Sequence, residues 1–112
     1  MEQTTRAPEL GPFQDMWEAW DEAHEEILGK PVSHFRRATE IQFDELVAHL
    51  EAGDRKAAAR EASDIISVAL NLMRWLGHTP SEIGEIARSR AERRMKGQAL
   101  EILEKYQRLH NI

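Results

Sequence analysis

The sequence predicts an all-α protein, an antiparallel helical bundle of four main helices followed by a short C-terminal helix. Apolar residues recur at steps of three and four through most of the chain, which is the spacing of one face of an α-helix. No stretch alternates apolar and polar residues as a half-buried strand does. Glycine or proline interrupts the helical pattern repeatedly, and the resulting short connections favour antiparallel neighbours.

The first helix is expected from Phe13 to the LGKP stretch at 28–31, where glycine can end a helix and proline cannot continue it. Residues 1–12 lack apolar periodicity and contain two prolines and a glycine, so they form a predicted flexible N-terminal arm. Residues 13–112 then make up a single helical domain.

The second helix is expected to begin after Ser33 as N-cap and to end at the EAGD stretch at 51–54. Asp54 caps a third helix, from about Arg55 to Leu76, which has the strongest periodicity in the chain and stops at Gly77. The apolar arc predicted for the second helix consists of Phe35, Phe43, Leu46, Val47 and Leu50.

The fourth helix begins at the TPSE stretch at 79–82, which combines a capping box with proline at the first helical position. It is expected to reach about Lys96. After Gly97 the chain can form a shorter amphipathic helix that turns Leu100, Leu103 and Tyr106 inward.

Composition narrows the classes of function. The 112 residues are 41% hydrophobic, carry a net charge of −5 and contain no cysteine. An acidic surface disfavours nucleic acid or a membrane as the main partner, and the lack of cysteine removes thiolate chemistry. The first residues lack the pattern of a signal peptide and no run is long enough to span a membrane, so a cytoplasmic protein is expected. A helical chain of this size gains from a partner, so we expect an oligomer.

Two acids lie unexpectedly at the start of the apolar face of the third helix. A helical projection places Glu61 inside the apolar arc and Asp64 and Asn71 along its edge. The projection turns Arg60, Ser63, Ser67 and Arg74 toward solvent. An ionised carboxylate removed from water costs several kcal/mol unless it is paired, so this position needs a cation or a basic partner.

The second helix has a matching polar edge, formed by Gln42, Glu45 and His49 at spacings of three and four residues. Antiparallel packing of the two helices brings Gln42, Glu45, Glu61 and Asp64 together. Such oxygen ligands suit a hard ion such as Mg²⁺ or Mn²⁺ with substrate phosphate. The alternative is that the acids are partly solvated and paired with arginine or lysine.

These motifs resemble those of the MazG-like all-α nucleoside triphosphate pyrophosphohydrolases, from Phe13 to about Gly97. That family has Glu-Glu-x-x-Glu on one helix, a Gly-Asp turn, and Glu-x-x-Asp on the next. QFDELVAHLEAGD and then EASDIISVALNLMRWLG resemble this order, with Glu45 as the last acid of the first motif and Glu61 and Asp64 as the second. The sequence departs from the pattern at Ile41-Gln42, which stands where the family has Glu-Glu.

The resemblance implies hydrolysis of a nucleoside triphosphate to monophosphate and pyrophosphate, with Mg²⁺ (or Mn²⁺) as cofactor, in a homodimer or homotetramer. It makes Glu61 and Asp64 the primary metal ligands, Glu45 a third ligand or the base, and Gln42 a weakened fourth ligand. Asn71 is a candidate contact to sugar or phosphate, or a residue bonded to solvent. Arg90 and Arg94, in the sequence of the family's closing helix, are candidate phosphate ligands or simply a basic helix end.

Ile41-Gln42 leaves three alternatives open. Gln42 can supply a neutral oxygen, the helix can be shifted so that Glu40 or Asp44 serves, or the chain can be a non-catalytic module that binds a nucleotide or a protein.

Trp17 and Trp20 are expected in the core or an oligomer interface, with stacking on a base as the alternative. His24, His34 and His49 are predicted not to be ligands.

Overall fold

The computed structural model describes residues 9–112, and there it is all-helical, as predicted. Residues 1–8 of the predicted arm lie outside the described residues. The helices are α1 (Gln14–Ala19), α2 (His24–Leu28), α3 (Val32–Glu51), α4 (Arg55–Trp75), α5 (Pro80–Arg90) and α6 (Ala99–His110). Shorter turns complete the chain: 3-10 turns at Gly11–Phe13 and Asp21–Ala23, and a π-helical turn at Ala91–Met95. None of the helices described is long and apolar enough to cross a membrane.

The centre of the fold is an antiparallel hairpin of the two longest helices, α3 and α4. Gly53 makes the connecting turn with a φ of 76°, a value that favours glycine, and the Asp54 side chain accepts a hydrogen bond from the Ala57 amide at 2.9 Å. At the other end, the Phe35 ring lies 6.0 Å from that of Trp75. The predicted packing of the second and third helices is therefore confirmed.

The predicted helix caps are confirmed in α4 and α5 but not in α3. In α5 the Thr79 hydroxyl accepts a hydrogen bond from the Glu82 amide at 3.2 Å, and the Thr79 amide donates to the Glu82 carboxylate at 2.9 Å. Ser33 was the wrong N-cap, because α3 begins at Val32, directly after Pro31. The proline has its φ fixed at −73°, and its carbonyl accepts a bond from the His34 amide, so the helix begins two residues earlier, with Pro31 in the N-cap position.

The single first helix predicted from Phe13 onward is wrong, since that segment is divided into α1, a 3-10 turn and α2. The physical cause lies in the carbonyl of Trp17. It accepts a 2.7 Å hydrogen bond from the buried Arg74 guanidinium and a 3-10 bond from the Trp20 amide. A contact with a distant helix therefore ends α1 at Ala19, and the periodicity of the segment does not contain that information.

The fourth predicted helix also ends differently. Regular α-helix stops at Arg90, and a wider turn follows, in which the Lys96 amide donates to the Ala91 carbonyl at 2.8 Å. Gly97, with a φ of 78°, then separates α5 and this turn from α6.

One chain covers only part of its apolar surface. The buried hydrophobic residues are Trp17, Ile27, Phe35, Ala57, Ala58, Leu70 and Ile83. Phe43, Val47 and Leu50 were predicted to lie in a packed arc, yet Phe43 is 54% exposed and the other two are exposed as well. Leu100, Leu103 and Tyr106 do not turn inward, because α6 has no buried residue in one chain. The described residues thus form a long hairpin with shorter helices, and a four-helix arrangement stays a prediction.

Candidate functional site

Four oxygen-bearing side chains meet where the middle of α3 faces the first half of α4. Gln42 and Glu45 come from α3, and Glu61 and Asp64 from α4; we call these four residues the oxygen cluster. The carboxyl group of Glu45 faces that of Glu61 closely enough to share a hydrogen bond, and the charge of Asp64 also acts on Glu45. The sequence-predicted convergence of the two helices is therefore present in the structure.

Two atoms of the cluster are buried without a hydrogen-bond partner, Gln42 Oε1 and Glu61 Oε2. Ionised carboxylates only accept hydrogen bonds, so Glu45 and Glu61 can form one only if they share a proton. A buried polar atom without a partner costs about 1–3 kcal/mol. The cluster therefore favours a proton or a cation between its oxygens.

The electrostatics of the cluster raise the pKa of Glu45 above its ordinary value. The largest cause is the shared hydrogen bond with Glu61, followed by the negative charge of Glu61 and a smaller loss of solvation. His49 acts in the opposite direction, and its Nε2 lies 3.4 Å from Glu61 Oε1. His49, which was predicted to lie on the same polar edge as Gln42 and Glu45, is thus the basic group next to Glu61.

The structure also fixes which face of α3 carries the cluster. The Glu40 carboxylate lies 3.3 Å from Arg37 on the solvent side, and Asp44 is exposed. Gln42 and Glu45 face α4 instead, although the Glu45 side chain is itself exposed. The shifted register in which Glu40 or Asp44 takes part is therefore not adopted.

A cavity of about 410 Å³ opens beside the cluster and shares Gln42 and Asp64 with it. We call it the Trp20 cavity, because Trp20 reaches it from the turn after α1. Asn71 is a buried residue of its wall and not an open-surface residue. The complete lining consists of Trp20, Ile27, His34, Phe35, Ala38, Gln42, Asp64, Ser67, Val68 and Asn71.

Two residues that the helical projection turned toward solvent are buried. Ser67 lies in the wall of the Trp20 cavity, and its hydroxyl donates to the Asp64 carbonyl at 2.7 Å. Arg74 is only 4% exposed. The prediction failed because the N-terminal segment covers this side of α4. The available signal was the spacing of 67, 71 and 74, which forms one polar strip along the helix.

The donor atoms of the cluster fit a hard divalent cation, since three carboxylates and an amide oxygen are the ligands Mg²⁺ prefers. The two unpartnered buried oxygens are atoms that such an ion would satisfy. Within residues 9–112, however, no three or more acidic or histidine side chains are arranged as a ready metal site. The cluster offers suitable donors without a closed coordination shell.

Arg90 and Arg94 are not brought to the cluster within one chain. Arg90 ends α5, and Arg94 belongs to the π-helical turn. A π-helical turn is wound more widely than an α-helix, so two residues four positions apart no longer lie on the same face as they would in an α-helix. No hydrogen bond or ion pair in the described part of the chain joins either guanidinium to the cluster. Their role in phosphate binding stays a prediction.

Comparison of the chain with protein-family models, with curated proteins and with solved structures finds no match. A function for this chain is therefore inferred from the geometry of the cluster and its cavity.

Proposed function

We propose that the protein is a metal-dependent nucleoside triphosphate pyrophosphohydrolase that uses Mg²⁺, or Mn²⁺ in its place. The observation that carries the proposal is the meeting of Glu45 and Glu61 beside two buried oxygens that lack partners. Repulsion between neighbouring carboxylates is relieved when a cation binds between them. A cation site that opens into a cavity large enough for a small organic group suits a nucleotide, whose phosphates bind the metal.

In the proposed reaction, Glu61 and Asp64 would hold the metal and Gln42 would add a neutral oxygen. Bound Mg²⁺ supplies positive charge that neutralises the phosphate oxygens. Glu45, which faces Glu61, orients a water molecule and takes its proton. The water oxygen bonds to the α-phosphorus, and the bond to the α–β bridging oxygen breaks, which releases monophosphate and pyrophosphate.

The Trp20 cavity would receive the nucleoside. Gln42 and Asp64 connect it with the cluster, so a nucleoside in the cavity would direct its phosphates toward the carboxylates. Asn71 supplies a buried amide for the sugar or base, and Trp20 an aromatic face. Arg90 and Arg94 are proposed phosphate ligands that require another chain or a movement of α5.

A second candidate function is a non-catalytic module of the same fold that binds a nucleotide or a protein. It is favoured by Gln42, which supplies no charge, and by the lack of a closed coordination shell in residues 9–112. Metal-dependent nucleotide binding without turnover would distinguish this module from the enzyme.

The deciding experiment incubates the full chain with a panel of canonical and modified nucleoside triphosphates plus Mg²⁺ or Mn²⁺ and identifies the products. Monophosphate and pyrophosphate are expected for the enzyme. Glu61→Gln should lower the rate by about 100-fold or more, since it removes a charged ligand from the reacting centre. Asp44→Asn is the matched control, because Asp44 is an exposed acid on α3 outside the cluster, and it should leave turnover unchanged.

Two results would contradict these proposals. Turnover that survives Glu61→Gln would remove the cluster from the mechanism. No turnover together with no metal-dependent shift in the melting temperature would reject both the enzyme and the metal site.

We also propose that the protein functions as a homodimer or a homotetramer. Support comes from the exposed apolar residues of α3 and α6 and from an apolar groove of about 530 Å³ between α3 and α4, which includes Phe35, Ile65 and Leu72. Exposed apolar surface of this extent is characteristic of an interface.

A further inference from the structure

Arg74 is the most deeply buried charged residue described, and all its partners belong to residues 17–24. Its Nη1 donates to Asp21 Oδ1 at 2.9 Å and contacts His24 Nδ1 at 3.1 Å. Its Nη2 donates to the Trp17 carbonyl at 2.7 Å, and the guanidinium carbon lies 3.8 Å from the centre of the Trp17 ring. One side chain of α4 thus holds the N-terminal segment by four contacts.

The segment depends on these contacts, because α1 has six residues and α2 has five. Helices of that length do not persist in water without tertiary packing. Trp20 lies between the residues that Arg74 holds, and its amide and carbonyl bond to Trp17 and Ala23. The position of Trp20 in the cavity wall therefore depends on the contacts of Arg74 with Trp17 before it and with Asp21 and His24 after it.

One of the four contacts depends on protonation. A guanidinium only donates hydrogen bonds, so His24 Nδ1 must be unprotonated and accept. A doubly protonated ring would present an N–H and a positive charge to Arg74. Protonation of the His24 ring therefore removes this contact.

The other charged groups around His24 do not replace that contact. Asp21 already accepts from Arg74, and its side chain is mostly exposed. His78 and Arg74 line the same cavity of about 340 Å³ as His24, and His78 Nδ1 lies 3.9 Å from the Glu82 carboxylate. Protonation of His24 thus adds a second cation beside Arg74.

We propose that Arg74 is a positioning residue that fastens residues 17–24 to α4, holds Trp20 in the wall of its cavity, and releases the segment when His24 is protonated. The consequence for a bound nucleotide rests on the proposed function. The fastening itself does not, so its test contains neither nucleotide nor metal.

The test is ¹⁹F NMR of the full chain labelled with 5-fluorotryptophan, with each signal assigned by a Trp→Phe variant. The difference in chemical shift between H₂O and D₂O reports how far each ring is exposed to solvent. Trp20 is 41% exposed in the folded chain, and from pH 8 to pH 5 its signal should move further toward the value of a fully exposed ring. Trp75, whose indole N–H donates to the Lys30 carbonyl at 2.7 Å, should not change.

Variants distinguish release of residues 17–24 from Arg74 from a general loss of stability of the fold. Arg74→Met should increase the solvent exposure of Trp20 at every pH. Hydrogen exchange of the amides in residues 17–24 should accelerate by about tenfold, as expected for loss of charged hydrogen bonds. His24→Gln should keep the exposure of Trp20 at its wild-type value of pH 8 throughout, because its amide oxygen accepts from Arg74 and does not titrate. Arg60→Met, an exposed arginine of α4, and His78→Gln should both behave like the wild-type chain.

The proposal is overturned if Trp20 does not respond to pH, or if His24→Gln responds as the wild-type chain does. It is also overturned if Arg74→Met folds and the solvent exposure of Trp20 is unchanged. Should Arg74→Met fail to fold, the pH response of Trp20 still tests the proposal. It should be lost in His24→Gln and kept in His78→Gln.

Discussion

At the scale of single residues, the contact between Glu45 and Glu61 is the informative one. Two acids on adjacent helices face each other, and the pKa of Glu45 is raised from its ordinary 4.5 for that reason. A raised pKa means that the folded chain holds this proton more tightly than the unfolded chain does. Without a cation, stability is therefore lost as the pH rises through the pKa of Glu45.

Replacement of Glu45 by glutamine should raise the melting temperature at pH 7–8 when no divalent cation is present. The amide cannot ionise, so it removes the repulsion from Glu61. The gain should shrink as the pH falls toward 4.5, where wild-type Glu45 is protonated. Calorimetry across this range measures the effect, with Asp44→Asn as the control. Equal melting temperatures of wild type and variant at pH 8 would show that the two carboxylates do not interact.

Replacement of Gln42 by glutamate should tighten Mg²⁺ or Mn²⁺ binding. One added charge about 4 Å from a divalent ion contributes about 2 kcal/mol even in water-like surroundings, which is roughly a thirtyfold gain in affinity. Titration calorimetry measures it. Ile41→Glu adds the same charge one position away, at a site that is 39% exposed, and should gain less. An unchanged affinity for Gln42→Glu would mean that residue 42 does not face the ion.

At the scale of helices, the sequence predicted those elements whose signals are local. The turn at Gly53, the Asp54 cap and the Thr79 capping box are short motifs, and each is present as predicted. The division of the first helix could not be predicted, because its cause is a bond between Arg74 and Trp17, 57 positions apart. The π-helical turn at Ala91–Met95 had no signal that we recognise.

Gly84 should be intolerant of substitution, although it lies inside α5. A Cβ atom there would lie 2.9 Å from the backbone carbonyl oxygen of Glu9, so the backbone would have to move. Movement of residue 9 would loosen Leu10 from the cluster of Trp17, Leu70 and Ile83. We expect Gly84→Ala to lose about 1 kcal/mol of unfolding free energy, since overpacking outweighs the better helix propensity of alanine.

Urea unfolding followed by circular dichroism measures this loss. Gly29→Ala is the control, because its Cβ would lie at an ordinary 3.6 Å from the Glu26 carbonyl and its backbone is not strained. If Gly84→Ala were as stable as the wild-type chain, the close approach of residue 9 to α5 would be rejected.

At the scale of the whole molecule, the cluster was predictable and the cavity was not. Helical periodicity and an antiparallel hairpin are enough to bring Glu45 and Glu61 together. The Trp20 cavity needs, in addition, the 3-10 turn that follows Trp20 and separates α1 from α2. That turn depends on the burial of an arginine that the helical projection turned toward solvent.

The dimensions of the chain bear on its oligomeric state. Its radius of gyration is 16.8 Å, whereas a compact domain of this length has about 13 Å. The extents are 56 × 34 × 30 Å, so the hairpin is elongated and exposes a large surface. On α3 the exposed apolar strip of Phe43, Val47 and Leu50 lies on a different face from the oxygen cluster. An interface on this strip would leave Glu45 accessible.

Wild-type protein should therefore sediment with at least twice the 12.9 kDa mass of one chain. The double variant Phe43→Glu/Val47→Glu should shift it toward the monomer, because two charges would be buried at the interface without partners. Ala48→Glu, an exposed position on the same helix outside the strip, should leave association unchanged.

Sedimentation velocity measures the masses, and circular dichroism at matched concentrations reports whether the separated chain keeps its helices. A monomeric wild-type chain, or equal dissociation by Ala48→Glu, would reject this strip as the interface. If the helices melt as the chains separate, stability depends on protein concentration, since folding and association are then one equilibrium.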